Sequence, residues 1–79
     1  MKLSFKWADH INGKAVWEEV AFSNWGEDVP ALGHFISLNW VKDGKPVQLK
    51  GVVRDVSWSL NVGLDNTLKT SVVIQLGDY

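Results

Sequence analysis

Two turn dipeptides, Asn12-Gly13 and Asp43-Gly44, constrain this chain more than any other feature, because each sits in the middle of an alternating apolar and polar run. Both are favoured in two-residue type I′ hairpin turns, whose central residues must tolerate positive φ. Folding about Asn12-Gly13 puts Ile11 opposite Lys14, and the ladder then sets Lys6 against Glu19, Phe5 against Val20 and Leu3 against Phe22. Folding about Asp43-Gly44 sets Trp40 against Val47, Asn39 against Gln48, Leu38 against Leu49 and Ser37 against Lys50. Apolar meets apolar and polar meets polar in both ladders, an agreement that chance rarely produces twice.

The rest of the chain reads as further short strands. The first hairpin joins Lys2 to Ala8 with Lys14 to Phe22. Residues 15–22 also fit two helical turns, with Val16 and Val20 on one side, but a helix that short is marginal alone and the cross-strand register favours strand. Residues 23–33 form one long irregular connection punctuated by Gly26, Pro30 and Gly33. A third strand runs from His34 to Val41 and a fourth from Val47 to Gly51, with Pro46 at a strand start or sheet edge. Gly51 is read as a bend or bulge leading into a fifth strand, Val52 to Leu60, in which Arg54 alone breaks the apolar face. The loop Asn61 to Thr67 precedes a sixth strand, Leu68 to Leu76, paired so that Leu60 faces Leu68, Val56 faces Val72 and Val52 faces Leu76.

Six short strands whose apolar faces must close on one another predict an all-β fold. It is a small antiparallel barrel or coiled two-layer sheet of SH3-like or OB-like size. The expected core is Leu3, Phe5, Trp7, Val20, Phe22, Ile36, Leu38, Trp40, Leu49, Val52, Val56, Trp58, Leu60, Val72, Ile74 and Leu76. The 79 residues leave room for one domain, 1–79, and the five Trp, three Phe and one Tyr supply the apolar area that a small core otherwise lacks. Cysteine is absent, which removes disulfides and thiolate metal sites. A net charge of −1 gives no global field toward nucleic acid or an anionic membrane. Lys6, Asp9 and His10 break any signal-peptide apolar region, and no apolar stretch approaches the ~20 residues of a membrane helix. A soluble, cytoplasmic protein is expected.

Chemistry-bearing patterns are sparse. His10 and His34 stand outside any metal-ligand spacing, and no serine lies in a Gly-x-Ser-x-Gly elbow. Glu18 and Glu19 are neighbours on a strand and point to opposite faces. Glu27 and Asp28 lie in the long loop without a nucleophile or oxyanion donor nearby, and no phosphate-cradling glycine loop is present. The expectation is a protein that is not an enzyme and carries no metal or cofactor.

The tryptophans point elsewhere. Trp17 falls out of phase with the core, and Trp25 lies in the irregular loop. Indoles left in water are costly, and Trp is enriched at binding hot spots. Trp17 and Trp25 are therefore candidate partner-binding residues, with Glu27 and Asp28 as a polar rim; in the competing reading the loop folds back, Trp25 plugs one end of the barrel and covers Trp17, and both indoles are structural. A second candidate surface, for single-stranded nucleic acid, combines Lys42, Lys45 and Lys50 with Phe35. The run Val29-Pro30-Ala31-Leu32-Gly33-His34-Phe35-Ile36, followed by Val52-Val53-Arg54-Asp55-Val56, resembles a Pro-x-x-Gly strand-launching pattern found in short barrel proteins of bacterial and phage genomes. His34 stands where that pattern commonly has Asp, and the resemblance implies a barrel and no functional residue. The chain is thus expected to be a protein-interaction or assembly module, of the kind found as phage or mobile-element accessory proteins. It would act by forming homo-oligomers or by docking to a larger protein, with nucleic-acid binding as the less favoured alternative.

Overall fold

The computed structural model describes residues 1–78. Five strands form, β1 (Lys2–Ile11), β2 (Lys14–Phe22), β3 (Phe35–Lys42), β4 (Lys45–Val62) and β5 (Leu68–Gly77), and no described residue is helical. Both hairpins take the register their turns dictate. Asn12 and Gly13 have φ of 52° and 76°, Asp43 and Gly44 repeat those values, and this is the paired positive geometry of a type I′ turn. Leu3 lies opposite Phe22 and Phe5 opposite Val20, while Leu38 faces Leu49 and Trp40 faces Val47. Residues 15–22 are strand.

Across the sheet the order is β2-β1-β5-β4-β3. This is the cyclic order of a five-stranded up-and-down barrel with one joint left open, that between β2 and β3. Strands that alternate in direction leave the first and the fifth running the same way, so β1 and β5 pair in parallel. The expected six-stranded antiparallel barrel is therefore corrected to a five-stranded mixed sheet curled into a half-barrel. Six strands become five because β4 runs through Gly51 without a break.

The bulge lies three residues beyond that glycine. The ladder between β4 and β5 slips between Val53 and Asp55, which leaves Arg54 as the extra residue. Val47, Leu49, Gly51 and Val53 therefore line the concave face before the bulge, and Val56, Trp58, Leu60 and Val62 line it afterwards. Val52 is displaced to the convex side opposite Phe35, and Val53 takes the core position expected of it. The Arg54 guanidinium donates to the Asp78 carbonyl at 2.7 Å, fastening the end of β5 over the bulge. The register with β5 also differs by two residues from the expected one: Val56 faces Ile74, Leu60 faces Thr70 and Val62 faces Leu68. A tighter tip is the cause. The Asn66 φ is 62°, the Thr67 N–H donates to Asp65 Oδ1 at 3.1 Å and the Gly63 N–H donates to the Thr67 carbonyl at 2.8 Å, so both strands run further before turning.

Leu3, Phe5, Val53, Val72, Ile74 and Leu76 are buried, with Trp7, Val20, Phe22, Ile36, Leu38, Leu49 and Val56 half-buried against them. Each fully buried side chain of this kind stabilises the fold by about 1.5–3 kcal/mol. The connection 23–34 folds back over the concave face. Its Trp25 stacks edge-on against Phe5 at 6.0 Å, and Gly33 (φ 82°) donates its N–H to the Val53 carbonyl to launch β3.

Gly51 is glycine for a different reason from the one its sequence context suggests. It is buried, and a Cβ there would stand 2.9 Å from the Gly77 carbonyl oxygen and 3.2 Å from Leu76 Cβ. The obstacle is backbone, which cannot swing aside as a side chain can. Gly51→Ala should destabilise the protein by about 1–3 kcal/mol, as overpacking in a tight core does. A urea denaturation series checks this, and an unchanged midpoint would show that the end of β5 yields freely.

Candidate functional site: an open seam and an uncovered arm

Curling brings the outer edges of β2 and β3 toward each other without joining them. No Cα of β2 comes within 8 Å of one of β3, whereas paired strands stand ~4.8 Å apart. Rings fill the space between. Trp40 of β3 meets Trp7 of β1 at 6.5 Å and Phe22 of β2 at 6.4 Å, both near edge-on. Such pairs contribute about 0.5–1.5 kcal/mol beyond their buried area, so the edges are held by side chains in place of a backbone ladder. Above the rings lies a groove of about 740 Å³, lined by Trp7, Val20, Trp40 and Val47, with Glu18 on one bank and Lys42 on the other.

A second feature comes from β4. Its first half, Lys45 to Val52, pairs with β3, and its second half pairs only with β5. Val53 is the last β4 residue bonded on the β3 side, through the Val53 N–H to the His34 carbonyl and the Gly33 N–H to the Val53 carbonyl. Among the described residues, the edge from Arg54 to Val62 has no strand beside it. On the other flank β1 reaches only to Lys2, opposite Ser71. The end of the β4–β5 hairpin is therefore an arm that projects past the body. The molecule measures 47 × 28 × 23 Å with a radius of gyration of 14.2 Å, against about 12 Å for a compact chain of this length.

The arm keeps the side-chain phase of the core without the cover. One row across the concave face runs Phe22, Leu3, Val72, Trp58. Leu3 and Val72 are sealed in the middle of that row, while Trp58 at its open end is 55% exposed. Leu60, Val62 and Leu68 continue the same face at 62%, 66% and 55% exposure, and Leu64 stands free at the tip. Trp58 and Leu60 are thus corrected from core to surface. Alternation placed them on the right face, but no strand lies outside them. The convex side of the arm is polar: Ser57 donates to Asp55 Oδ2 at 3.2 Å and the Asn61 amide donates to Ser59 Oγ at 3.4 Å.

The residues expected to bind a partner do not gather. Trp17 sits opposite Ala8 on the convex face, 55% exposed, with the Lys6 ammonium 5.5 Å from its ring centre. Trp25 is on the other side of the sheet, half-buried against Phe5 and Phe22, with its backbone N–H donated to the Met1 carbonyl at 2.7 Å. It packs into the concave side and does not cover Trp17. Glu27 and Asp28 are exposed in the loop beside it, and the Asp28 carbonyl accepts from Trp25 Nε1 at 3.4 Å. The sheet lies between Trp17 and Trp25, so they do not share one face. The basic set also divides. Lys42 and Lys45 face each other across the Asp43-Gly44 turn on the concave phase, whereas Lys50 and Phe35 lie on the convex phase, opposite Ser37 and Val52. What sequence reasoning missed was the arm; the phase change from Val53 to Val56 around Arg54 signals the bulge where the arm begins, not the missing neighbour.

Among the described residues no group of three or more His, Cys, Asp or Glu side chains gathers, and no helix is long and apolar enough to cross a membrane. No family model, curated protein or solved structure matches this chain.

Two outcomes test these placements. Trp25→Ala should cost about 3 kcal/mol, near the lower end for removal of a packed indole, while Trp17→Ala should cost under about 1 kcal/mol, the scale of an exposed cation–π contact. Thermal melts of the two variants compare them directly, and equal losses would contradict the placement of one indole as packed and the other as exposed. At the arm's tip, hydrogen bonds from the Thr67 hydroxyl and amide hold the Asp65 carboxyl below its ordinary value of 3.8. A depressed carboxyl contributes order that is present above pH 3.8 and is lost as pH falls through the folded value. The Thr67 amide resonance should therefore titrate below pH 3.8 in step with Asp65, and Asp65→Asn should abolish that titration.

Proposed function

We propose that this chain is a non-catalytic protein-interaction or assembly module whose contact surface is the concave side of the β4–β5 arm. A single observation carries the reading: Trp58, Leu60, Val62 and Leu68 share the phase of the buried core, yet each is more than half exposed. Their exposed parts, with Leu64, come to on the order of 600 Å², the size at which an apolar patch on a small protein marks a contact site and close to the ~800 Å² that each partner buries in a standard interface. Trp58 has the character of a hot-spot anchor, a large ring with aliphatic neighbours on both sides. The half-barrel serves as the rigid base from which the arm projects, in keeping with the small-barrel size class expected from the sequence. Lys42 and Lys45 lie on one face and Lys50 with Phe35 on the other, so this set does not form the single basic surface that tracks a nucleic-acid backbone.

Leu60→Lys tests the reading. The residue is 62% exposed, so the isolated protein should lose less than about 1 kcal/mol of stability. Sedimentation velocity should show association of the wild-type protein that persists from low to high salt and is at least tenfold weaker in the variant. Salt-sensitive binding of a labelled single-stranded oligonucleotide, unchanged by Leu60→Lys, would overturn the proposal in favour of a phosphate-driven function.

A further inference from the structure

Resting on the arm as contact surface, we infer that its occupant is a second copy of this chain, joined antiparallel along the free edge of β4 with Trp58 opposite Trp58. The free edge is bounded on both sides. It begins after Val53, whose backbone groups are bonded to Gly33 and His34, and it ends with the strand at Val62. Its midpoint is Trp58. A two-fold axis there gives the longest ladder the edge allows, from Arg54 to Val62 on each copy, and any other centre shortens it.

The residues about that centre are matched in polarity. Val56 meets Leu60 of the second copy, Ser57 meets its Ser59, and Asp55 meets its Asn61. Apolar side chains stay on one face and polar ones on the other, as an isologous contact requires of a single surface. A register shifted by one residue would set Trp58 against Ser59 and mix the faces. The formal charges between residues 54 and 62 are Arg54 and Asp55, both at one end of the edge, and no proline or lysine lies there. The first half of β4, whose flank away from β3 is also unpaired among the described residues, carries Lys45, Pro46 and Lys50. Lysine, proline, charges and bulges guard edges against strand addition; the first half of the strand carries such guards along its length, while beyond the Arg54 bulge and Asp55 the edge from Val56 to Val62 carries none. Pairing would set the two concave apolar strips side by side in one continuous sheet and bring the two indoles to the centre of the contact.

Because the chain has no cysteine, introduced thiols report the register directly. Residues directly opposite across antiparallel strands are about 4.5–5.5 Å apart at Cα, within disulfide reach, while the diagonal neighbours are not. Ser57→Cys and Ser59→Cys each replace an exposed polar residue by one of similar size, and circular dichroism verifies their fold. Mixed in equal amounts under mild oxidation, the two variants should form the 57–59 cross-linked dimer at least tenfold faster than either variant alone forms its own. Cross-linking of Ser57→Cys alone or Ser59→Cys alone at the same rate would overturn the Trp58-centred register. Association that Leu60→Lys weakens, without any of these cross-links, would leave the arm as contact surface and overturn edge pairing. A wild-type protein that stays monomeric at every concentration would overturn the second copy as occupant.

Discussion

The parallel ladder between β1 and β5 is the joint on which the molecule depends. Residues 2–22 form one hairpin and residues 35–77 form a three-stranded meander, and among the described residues β1 with β5 is the only pair of strands that joins them. The ladder places Leu3 beside Val72 and Phe5 beside Ile74, four side chains at 0–1% exposure that form the centre of the core. At about 1.5–3 kcal/mol each, their burial is comparable with the whole net stability of a small domain. Neither piece could bury that face alone. The contact also spans nearly the full length of the chain, so its loop-closure entropy must be overcome before any of this burial is gained.

The two open features follow from that joint. Once β1 and β5 are paired, the sheet can close only between β2 and β3, where Trp7, Phe22 and Trp40 converge on the concave side. Three rings need more room than a backbone ladder leaves, so the seam is bridged by side chains. The arm has a matching origin. β4 is eighteen residues long, and its two neighbours cover different halves of it. The bulge at Arg54 keeps the apolar phase pointing to the concave face on both sides of the changeover. A strand built this way cannot be covered along its whole length by its own chain, and the uncovered part retains core-like residues.

How far the fold was legible follows from the range of each signal. The two I′ turns are local, and they fixed the β1–β2 and β3–β4 registers pair by pair. The link between β4 and β5 was legible as a pairing but displaced by two residues, because the Asp65-Asn66 turn is tighter than the run Asn61–Thr67 implies. Gly51 drew the bulge to itself since glycine is the common marker of one; its actual constraint is the Gly77 backbone, a contact between strands that no local pattern displays. The parallel joint was invisible for the same reason. Alternation identified the face of Trp58 and Leu60 but carries no information about whether another strand lies outside them. Trp25 packs against Phe5 and Phe22 on the concave side, and Trp17, out of phase with the core, stands exposed on the convex face.

The central claim is that the outer edge of β4 beyond the bulge is open within one chain and closed between two. Amide hydrogen exchange followed over a range of protein concentrations reads both halves of that statement. At low concentration the outward-facing amides between Asp55 and Val62 should exchange quickly, while those of β5 from Val72 to Leu76 stay protected. At high concentration the outward-facing amides around Trp58 should slow by tenfold or more, with the seam-facing edges of β2 and β3 unchanged. Exchange in the Asp55–Val62 segment that is independent of concentration, or protection that rises instead along β2 and β3, would contradict the account.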